Sequence, residues 1–376
     1  MIGLSTPPMS SVLSIIEQRL RELWRSEPGQ PARSRVCTMN LIVVTGSSDV
    51  ADHYVTVVDE VTRGTPARAI LVSMDPGAAE NLLDGDVTAV GGDVATFSER
   101  VRLHASGGAC ARVGSAVEAL LVPEIPTTLV WLGRVHVDDP LFIELAEYAE
   151  RIVLDTDYTS LSSLLSLARW ARADLRRPAI ADLAWTRIAI WQELCARFFD
   201  DPHMREHAST ISKLSIDQAS ETGARLGSEG ALLIGWLATR LGWKIERLGG
   251  ALRFKRPDGG KIVLTLRAIQ RREGVAPLAL AGIRFESTHD GKLAKGEIVR
   301  ELASGAAVHA ATPDADVLKW KLDVDLPAAT EQVVRMGANK GGRLLERVLH
   351  RPGPDAALAE AVVIAEELND DGVVCV

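Results

Sequence analysis

The chain has 376 residues, of which 47% are hydrophobic and 24% charged, and its formal net charge is −8. This length and composition predict a folded, soluble protein with two domains, because each half is long enough to bury a core of its own. A net negative charge leaves no excess of lysine and arginine for phosphates, which argues against a nucleic-acid binder. The chain lacks a long apolar run and a signal-like N-terminus, so no membrane association is expected and a cytoplasmic location is predicted.

The first half alternates apolar strands with helices. Residues 1–35 form an N-terminal helix, roughly Met9 to Arg25, and a linker rich in proline and glycine. The predicted strands that follow are 36–44, 69–74, 97–104, 127–132 and 152–154. The predicted helices are 48–61, 112–121, 140–151, 161–176 and 182–200, the last with Asp182 as its N-cap. Strands that are apolar throughout indicate a sheet covered on both faces, so residues 36–205 are predicted to be an α/β layered domain with a mostly parallel sheet.

The second half changes to an alternating pattern. Leu252 to Lys255 alternates, Pro257 to Gly260 has turn composition, and alternation resumes at Ile262, which predicts a β-hairpin. The parity of the apolar residues switches at Gly282, which indicates a glycine bulge. Residues 318–324 form a half-exposed strand, and 228–241, 343–350 and 355–368 are helical. Residues 206–376 are therefore predicted to be an α+β domain with an antiparallel meander.

Motifs for common chemistries are weak in this sequence. Val43-Val44-Thr45-Gly46-Ser47-Ser48-Asp49 has the order strand, glycine, helix, but Ser48 and Ala51 stand where a dinucleotide site needs glycines. A strand-to-helix turn capped by Ser47 or Ser48 is the favoured interpretation. The sequence has no Gly-x-Ser-x-Gly motif for a hydrolase, and its four cysteines, Cys37, Cys110, Cys195 and Cys375, form no Cys-x-x-Cys pair. No catalytic residue, metal site or cofactor is predicted.

Five blocks in the first half occur in a distinctive order and spacing. They are Thr65 to Val72 (TPARAILV), Pro126 to Gly133 (PTTLVWLG), Asp139 to Leu141 (DPL), Ile152 to Thr156 (IVLDT) and Asp182 to Arg187 (DLAWTR). Together they resemble the glucose-6-phosphate dehydrogenase assembly protein family (OpcA), over roughly residues 35 to 200. The resemblance implies a non-catalytic partner of glucose-6-phosphate dehydrogenase that promotes its assembled or active state.

Polar and aromatic residues within these blocks are candidates for an interface with the partner: Arg68, Trp131, Asp155, Asp182 and Arg187. Strand ends and helix starts of an α/β sheet gather at one rim, where ligands and partners bind, and Trp and Arg are frequent interface anchors. Structural roles stay open for each of them, because Asp182 can cap a helix, Trp131 can lie in the core, and Arg187 can pair with Asp182 or Glu193.

A second candidate is a basic surface on the predicted hairpin. Arg253, Lys255 and Arg267 should share the face opposite Leu252, Phe254 and Leu266. In an otherwise acidic chain, such a face can receive an acidic partner or an anionic ligand, although a solvated sheet face explains it equally well.

The resulting hypothesis is a non-catalytic assembly factor that binds glucose-6-phosphate dehydrogenase and favours its active oligomer in the oxidative pentose phosphate pathway. The alternative is an enzyme or sensor that binds a sugar phosphate or nucleotide at the rim of the α/β domain.

Overall fold

The computed structural model describes residues 9–23, 34–35, 37–91, 96–223, 225–248, 251–271, 275–302, 316–324, 329–336, 341–351 and 353–370. The helices are α1 Met9–Leu23, α2 Ser48–Gly64, α3 Val113–Leu120, α4 Pro140–Glu147, α5 Leu161–Arg172, α6 Leu183–Arg187, α7 Ala189–Arg197, α8 Arg205–Ser209, α9 Ser228–Leu241, α10 Gly341–Leu349 and α11 Ala356–Asp370. The strands are β1 Ser34–Arg35, β2 Met39–Thr45, β3 Ala67–Asp75, β4 Leu83–Gly91, β5 Thr96–Ser106, β6 Thr127–Leu132, β7 Arg151–Leu154, β8 Ala179–Asp182, β9 Ile211–Ala219, β10 Lys244–Leu248, β11 Ala251–Lys255, β12 Lys261–Ile269, β13 Leu280–His289, β14 Lys292–Leu302, β15 Asp316–Val324 and β16 Thr330–Arg335.

The first sheet is mostly parallel, as predicted. Its strands follow the order β1-β5-β3-β2-β6-β7-β8, and β4 pairs with β5. Every pair along this order is parallel, and the pairing of β4 with β5 is antiparallel. The chain leaves β2 in one direction to build β3 and β5, then returns to build β6, β7 and β8 on the other side. This is a doubly wound sheet with its switch point between β2 and β6.

Helices cover both faces of this sheet, which explains why its strands are apolar throughout. On one face, Leu41 and Val43 of β2 pack in a core with Tyr54 and Val58 of α2 and with Leu345 of α10. On the other face, Trp131 of β6, Phe142 of α4 and Trp170 of α5 meet edge to face, with ring centroids 5.5 and 5.8 Å apart. The prediction of a layered α/β arrangement is confirmed.

The second sheet is mostly antiparallel and has the order β10-β11-β12-β9-β13-β14-β15-β16. β11 and β12 form the predicted hairpin, with Phe254 opposite Ile262. The predicted bulge is also present, because the register of β13 against β9 shifts between Leu280 and Gly282. One pair, β12 with β9, is parallel. The predicted antiparallel α+β arrangement of this half is therefore confirmed.

The inner face of the second sheet packs against helices through aromatic rings. Phe198 stacks on Trp320 at 4.6 Å and meets Phe285 edge to face at 4.9 Å. The indole Nε1 of Trp320 donates to the carbonyl of Leu194 in α7 at 3.0 Å. Gly296 lies under Phe285, where any Cβ would collide with the ring. This glycine is therefore needed so that the aromatic ring can cross the neighbouring strand.

Charged side chains cover the outer face of the second sheet in rows of alternating sign. One row runs across β13, β14, β15 and β16 through Arg284, Glu297, Lys321 and Glu331. A second runs across β9, β13, β14 and β15 through Lys213, Glu286, Lys295 and Asp323. Opposite charges directly across neighbouring strands favour this register over any shifted one.

The chain divides into two compact units, Met1–Leu183 with Lys340–Asp355, and Ala184–Asn339 with Ala356–Val376. The boundary near residue 183 precedes the predicted one at 205, and α10 belongs to the first unit because its apolar face packs on α2. Arg151 of β7 reinforces this packing by donating to the carbonyls of Val348, Leu349 and Arg351 at the end of α10. Separability of the halves as domains 36–205 and 206–376 stays a prediction.

Several element predictions were wrong or incomplete. The segment 182–200 is not one helix, because Asp182 ends β8 and the helical part is divided into α6 and α7. The sequence analysis did not identify the strands β1, β4, β8, β9, β10, β14 and β16, although β9 lies inside the second sheet. Val36 and Cys375 lie outside the described residues. In the part of the chain that is described, no helix is long and apolar enough to cross a membrane.

Candidate functional site

The switch point of the first sheet is the place where a doubly wound fold ordinarily binds its ligand. Its crevice lies between Thr45, at the carboxyl end of β2, and Leu132, at the carboxyl end of β6. Gly46 and Gly133 follow these strands, and a Cβ on either glycine would meet no atom within 4 Å. Backbone at this point is therefore open enough for a ligand to approach.

The electrostatics of this crevice disfavour a phosphate group. Ser47 caps α2 by accepting a hydrogen bond from the backbone N–H of Val50, which confirms the predicted strand-to-helix turn. Asp49 lies in the first turn of α2, where its negative charge offsets the positive end of the helix dipole. A helix N-terminus attracts a phosphate through that dipole and through free N–H groups. Both attractions are reduced here, so this turn does not resemble the phosphate-binding turn of a dinucleotide site.

Asp155 and Asp182, two of the interface candidates, come together at the ends of the neighbouring strands β7 and β8. Asp182, whose exposed fraction is 0%, accepts hydrogen bonds from the backbone N–H of Thr156 at 3.0 Å and from its hydroxyl at 3.3 Å. Asp155 is also buried and accepts from the hydroxyl of Tyr54 at 3.4 Å. Asp182 therefore orders the loop after β7, and because it directly precedes α6 its role as a helix cap stays a prediction.

Trp131 and Arg68 are buried at other places in the same unit. Trp131 packs on Phe142, and its Nε1 donates to the carbonyl of Arg134 at 3.3 Å, which is the core role that had been left open. Arg68 lies at the amino end of β3, where it bonds Glu99 of β5 at 2.6 Å and the carbonyl of Leu120 at 2.8 Å. Because Arg68 and Asp155 lie at opposite ends of the strands, the candidates do not form a single site.

Arg187, the last interface candidate, belongs to the second unit. Its Nε donates to Glu229 of α9 at 2.8 Å, and the same carboxylate accepts from the backbone N–H of Leu280 at 2.9 Å. Both side chains of this pair are largely buried. Arg187 is thus paired with Glu229, a partner that the sequence did not suggest, and its side chain is only 15% exposed. Whether Arg187 contributes to an interface stays untested.

The predicted basic surface is present as an exposed face, but carboxylates accompany its cations. Arg253 lies opposite Glu246 on β10, and Lys255 pairs with the same glutamate at 3.2 Å. Arg267 binds Asp217 of β9 through two hydrogen bonds of 2.7 and 2.9 Å. Arg284 donates to Asp217 from the other side. Docking of an acidic partner on this face stays a prediction, and the carboxylates reduce its net positive charge.

Asp217 is the charged residue of this sheet that the sequence analysis missed. Its exposed fraction is 2%, so burial alone would raise the pKa of its carboxyl. The hydrogen bonds and charges of Arg267 and Arg284 outweigh burial, and the pKa of Asp217 lies below its ordinary value. The carboxylate form is thus fixed at neutral pH. The alternation of Leu214 and Ile216 with Lys213 and Ser215 was the signal that could have identified β9.

The three cysteines that the structure describes, Cys37, Cys110 and Cys195, show no sign of activation. Burial raises the pKa of Cys195 to about 12 and also raises the pKa values of Cys37 and Cys110 above the ordinary range. The unreactive thiol form is therefore favoured at neutral pH. Within the described residues, no group of histidine, cysteine, aspartate and glutamate side chains is arranged to hold a metal ion.

The fold defines a class of protein with two units, one built on a doubly wound parallel sheet and the other on a mostly antiparallel sheet. Profiles of two family domains match the chain. The glucose-6-phosphate dehydrogenase subunit N-terminal domain matches residues 58–169, and the C-terminal domain of the same family matches residues 178–362. The chain belongs to this family, the OpcA family, as the five sequence blocks predicted.

Curated relatives match shorter parts of the chain. An OxPP cycle protein OpcA of Synechocystis is 32% identical over 147 residues, which are 39% of this chain and 30% of the relative. The protein of the same name in Nostoc punctiforme is 27% identical over 194 residues, which are 51% of this chain and 39% of the relative. The matched residues thus span less than half the length of these relatives.

Solved structures with a similar course of the chain have low sequence identity and include oxidoreductases and a transcriptional regulator, Gal80p of Kluyveromyces lactis. A UDP-N-acetylglucosamine 3-dehydrogenase of Acidithiobacillus ferrooxidans has a TM-score of 0.40 and 9% identity, over 88% of this chain and 97% of its own. An oxidoreductase of Bacillus cereus has a TM-score of 0.45 and 10% identity, over 89% of this chain and 95% of its own. At such scores the likeness carries no argument about what this chain does.

Proposed function

We propose that this protein is a non-catalytic, cytoplasmic partner of glucose-6-phosphate dehydrogenase, which binds the enzyme and favours its assembled, active form in the oxidative pentose phosphate cycle. The observation that carries the proposal is the match of both family domains, in order, over residues 58–169 and 178–362. The names of the curated relatives, OxPP cycle proteins, agree with a role in that cycle.

The sequence at the switch point supports a binding role rather than a dehydrogenase role. A dinucleotide-binding sheet needs a glycine-rich turn and an attractive helix N-terminus for the pyrophosphate. In this chain, Ser48 and Ala51 replace the later glycines, and Asp49 places a carboxylate in the first turn of α2. Asp155 adds a second carboxylate at the end of a neighbouring strand. The proposed activity therefore needs no cofactor in this chain.

Binding alone is enough to activate an oligomeric enzyme. A partner that binds the active oligomer better than the separate subunits shifts their equilibrium by mass action. A tenfold preference corresponds to about 1.4 kcal/mol, which a small interface can supply. Such a partner changes the fraction of enzyme that is active, and has no need to touch the reacting atoms.

The test is NADP⁺ reduction by each protein alone and by mixtures at several ratios, with sedimentation of the same mixtures. We expect no reduction by this protein alone, a higher rate for the mixture, and a shift of the dehydrogenase toward its larger form. A mixture with the same rate and the same sedimentation as the enzyme alone rejects the proposal. Melting of this protein with glucose 6-phosphate or NADP⁺ provides the control, since a large upward shift would indicate a ligand site of its own.

A further inference from the structure

The turn after α5 presents an apolar side chain with unusual exposure. Leu175 has an exposed fraction of 99%, whereas the next most exposed large apolar residue of the described chain, Val333, has 58%. Scattered apolar residues on a surface are ordinary. A leucine that makes almost no contact with its own chain is different, because its whole side chain remains available to a partner.

Hydrogen bonds hold this turn in one conformation. The backbone N–H of Arg177 donates to the carbonyl of Asp174 at 3.0 Å, and the carboxylate of Asp174 accepts from the backbone N–H of Arg176 at 3.0 Å. The guanidinium of Arg177 lies 4.5 Å from the ring centroid of Trp170 and donates to the carbonyl of Trp170 at 2.5 Å. These contacts attach the turn to α5, so the backbone that carries Leu175 has little conformational entropy left to lose on binding.

Arginines surround the exposed leucine. The segment Arg169 to Arg177 contains four arginines and one aspartate, in a chain whose net charge is −8. Arg169 and Arg172 are exposed, and the side chain of Arg176 is 91% exposed. Arg176 pairs with Asp174 at 3.2 Å, but that is the single carboxylate among four arginines. On the predicted basic hairpin, by contrast, Lys255 and Arg267 each bind a different carboxylate. The turn is thus the more one-sided positive feature.

We propose that the turn Ala173 to Arg177 is a docking element that inserts Leu175 into an apolar pocket with an acidic rim on a protein partner. Resting on the proposed function, the inference assigns that pocket to the surface of glucose-6-phosphate dehydrogenase. An apolar anchor within a ring of arginines is the composition of an interface hot spot, where the anchor supplies affinity and the charges supply orientation. An anionic membrane fits less well, because stable anchoring needs more apolar insertion than one leucine provides.

The test compares affinity for the dehydrogenase among variants that change only exposed atoms. Leu175→Asp should weaken binding about tenfold or more, because it removes the anchor and places a carboxylate opposite the acidic rim. Arg172→Glu should weaken binding by roughly threefold to tenfold, with a shallower dependence on salt. Arg172 is exposed, and it is chosen because Arg176 already pairs with Asp174 within the turn. Leu175→Met should bind like the unchanged protein, since it keeps an apolar side chain of similar size.

Matched controls carry the same charge changes elsewhere. Val333→Asp places a carboxylate at the other highly exposed apolar residue, and Arg253→Glu reverses a charge on the basic hairpin. Both controls should bind like the unchanged protein, and all variants should keep its melting temperature. If Arg253→Glu weakens binding and Arg172→Glu does not, the hairpin is the docking surface and the proposal is overturned.

The remaining outcomes separate the two proposals. If the unchanged protein neither binds nor activates the dehydrogenase, the proposed function fails and the turn fails with it. If it binds and Leu175→Asp binds equally well, the function stands and the turn is rejected. Phosphatidylcholine vesicles with and without phosphatidylserine test the membrane. The proposal is also overturned if the unchanged protein sediments with the anionic vesicles, Leu175→Asp does not, and both proteins bind the dehydrogenase with the same affinity.

Discussion

Two sets of paired charges, one in each unit, lie in opposite environments. In the first unit, Arg68 and Glu99 are buried together at the amino ends of β3 and β5. The guanidinium of Arg68 also donates a hydrogen bond to the carbonyl of Leu120. In the second unit, charges alternate in rows across the outer face of the sheet, and most of their side chains contact water. A buried charge must be paired to be tolerated, whereas a row of exposed charges mainly selects the register of its strands.

The same type of residue can therefore play a structural role when it is buried and remain available to a partner when it is exposed. Arg68 and Arg176 are both arginines near carboxylates, yet one is enclosed by its own unit and the other is turned to solvent. The sequence blocks that identified the family contain the enclosed one. The sequence blocks typical of the family therefore include residues that stabilise the core. Residues that contact a partner have to be sought among the exposed side chains.

The largest expected effect comes from breaking the buried pair. Glu99→Ala leaves the guanidinium of Arg68 buried without its carboxylate, which should lower the free energy of unfolding by about 3–5 kcal/mol. Urea denaturation measures the change. The double variant Arg68→Met with Glu99→Leu removes both charges and should recover most of the loss. A loss under about 1 kcal/mol for Glu99→Ala would show that the pair is solvated.

Asp217 lies between the buried and the exposed case, because its own carboxylate is buried while the two arginines that bind it are partly exposed. Asp217→Asn should cost about 1.5–3 kcal/mol at neutral pH, through the loss of charge-assisted hydrogen bonds. The folded pKa of Asp217 lies below its ordinary value of 3.8, so its contribution is complete above that pH. It declines as the pH falls through the folded pKa.

Stability measured against pH checks this sign. The difference between the unchanged protein and Asp217→Asn should be constant from pH 7 down to about pH 5 and should shrink in more acid solution. A difference that grows on acidification would contradict the depressed pKa. Arg253→Gln serves as the control, since Arg253 is exposed and should show little difference at any pH.

Arg187 separates packing from partner binding in the second unit. Arg187→Ala removes the guanidinium from Glu229, but that carboxylate keeps the backbone N–H of Leu280. We expect a loss of about 1–2 kcal/mol, below the roughly 3–5 kcal/mol for the cavity left by Trp185→Ala, whose indole is buried. Thermal melting and titration of dehydrogenase activation are compared for both variants. Weaker activation by Arg187→Ala with an unchanged melting temperature would favour the interface role predicted from the sequence.

The sequence predicted the fold best where periodicity was long and unbroken. The run Leu41 to Val44 and the alternation of Leu318, Trp320 and Leu322 each gave the correct type of strand, because burial on two faces or on one leaves a distinct pattern. β8 was missed because four residues are too few to show a period, and its segment was joined to the helix that follows. β9 was missed because its outer face carries Lys213, Ser215 and Asp217, which resemble a polar linker when the partner strands are unknown.

The candidate site was harder to predict because its contacts are distant in sequence. The bond between Thr156 and Asp182 depends on the parallel pairing of β7 with β8, and the bond between Arg187 and Glu229 depends on the position of α9. A list of polar residues within family blocks holds no information on either pairing. The exposure of Leu175 could not be predicted either, because a single leucine in a polar segment does not show whether its side chain points toward the core or toward solvent.

The smallest effect is expected for the exposed rows of the second sheet. The Nζ of Lys321 lies 3.0 Å from Glu331, with side chains 45% and 66% exposed, so water and salt screen the attraction. Lys321→Ala should therefore lower the free energy of unfolding by no more than about 1 kcal/mol, and less at high salt.

Lys321→Glu is the sharper variant, because it places three carboxylates in one row with Glu297 and Glu331 on either side. Repulsion between directly opposed like charges should make it less stable than Lys321→Ala by about 0.2–1 kcal/mol, and salt should remove the difference. Equal stability of the two variants at low salt would mean that the rows do not act through charge, and the contrast between the units would then rest on burial alone.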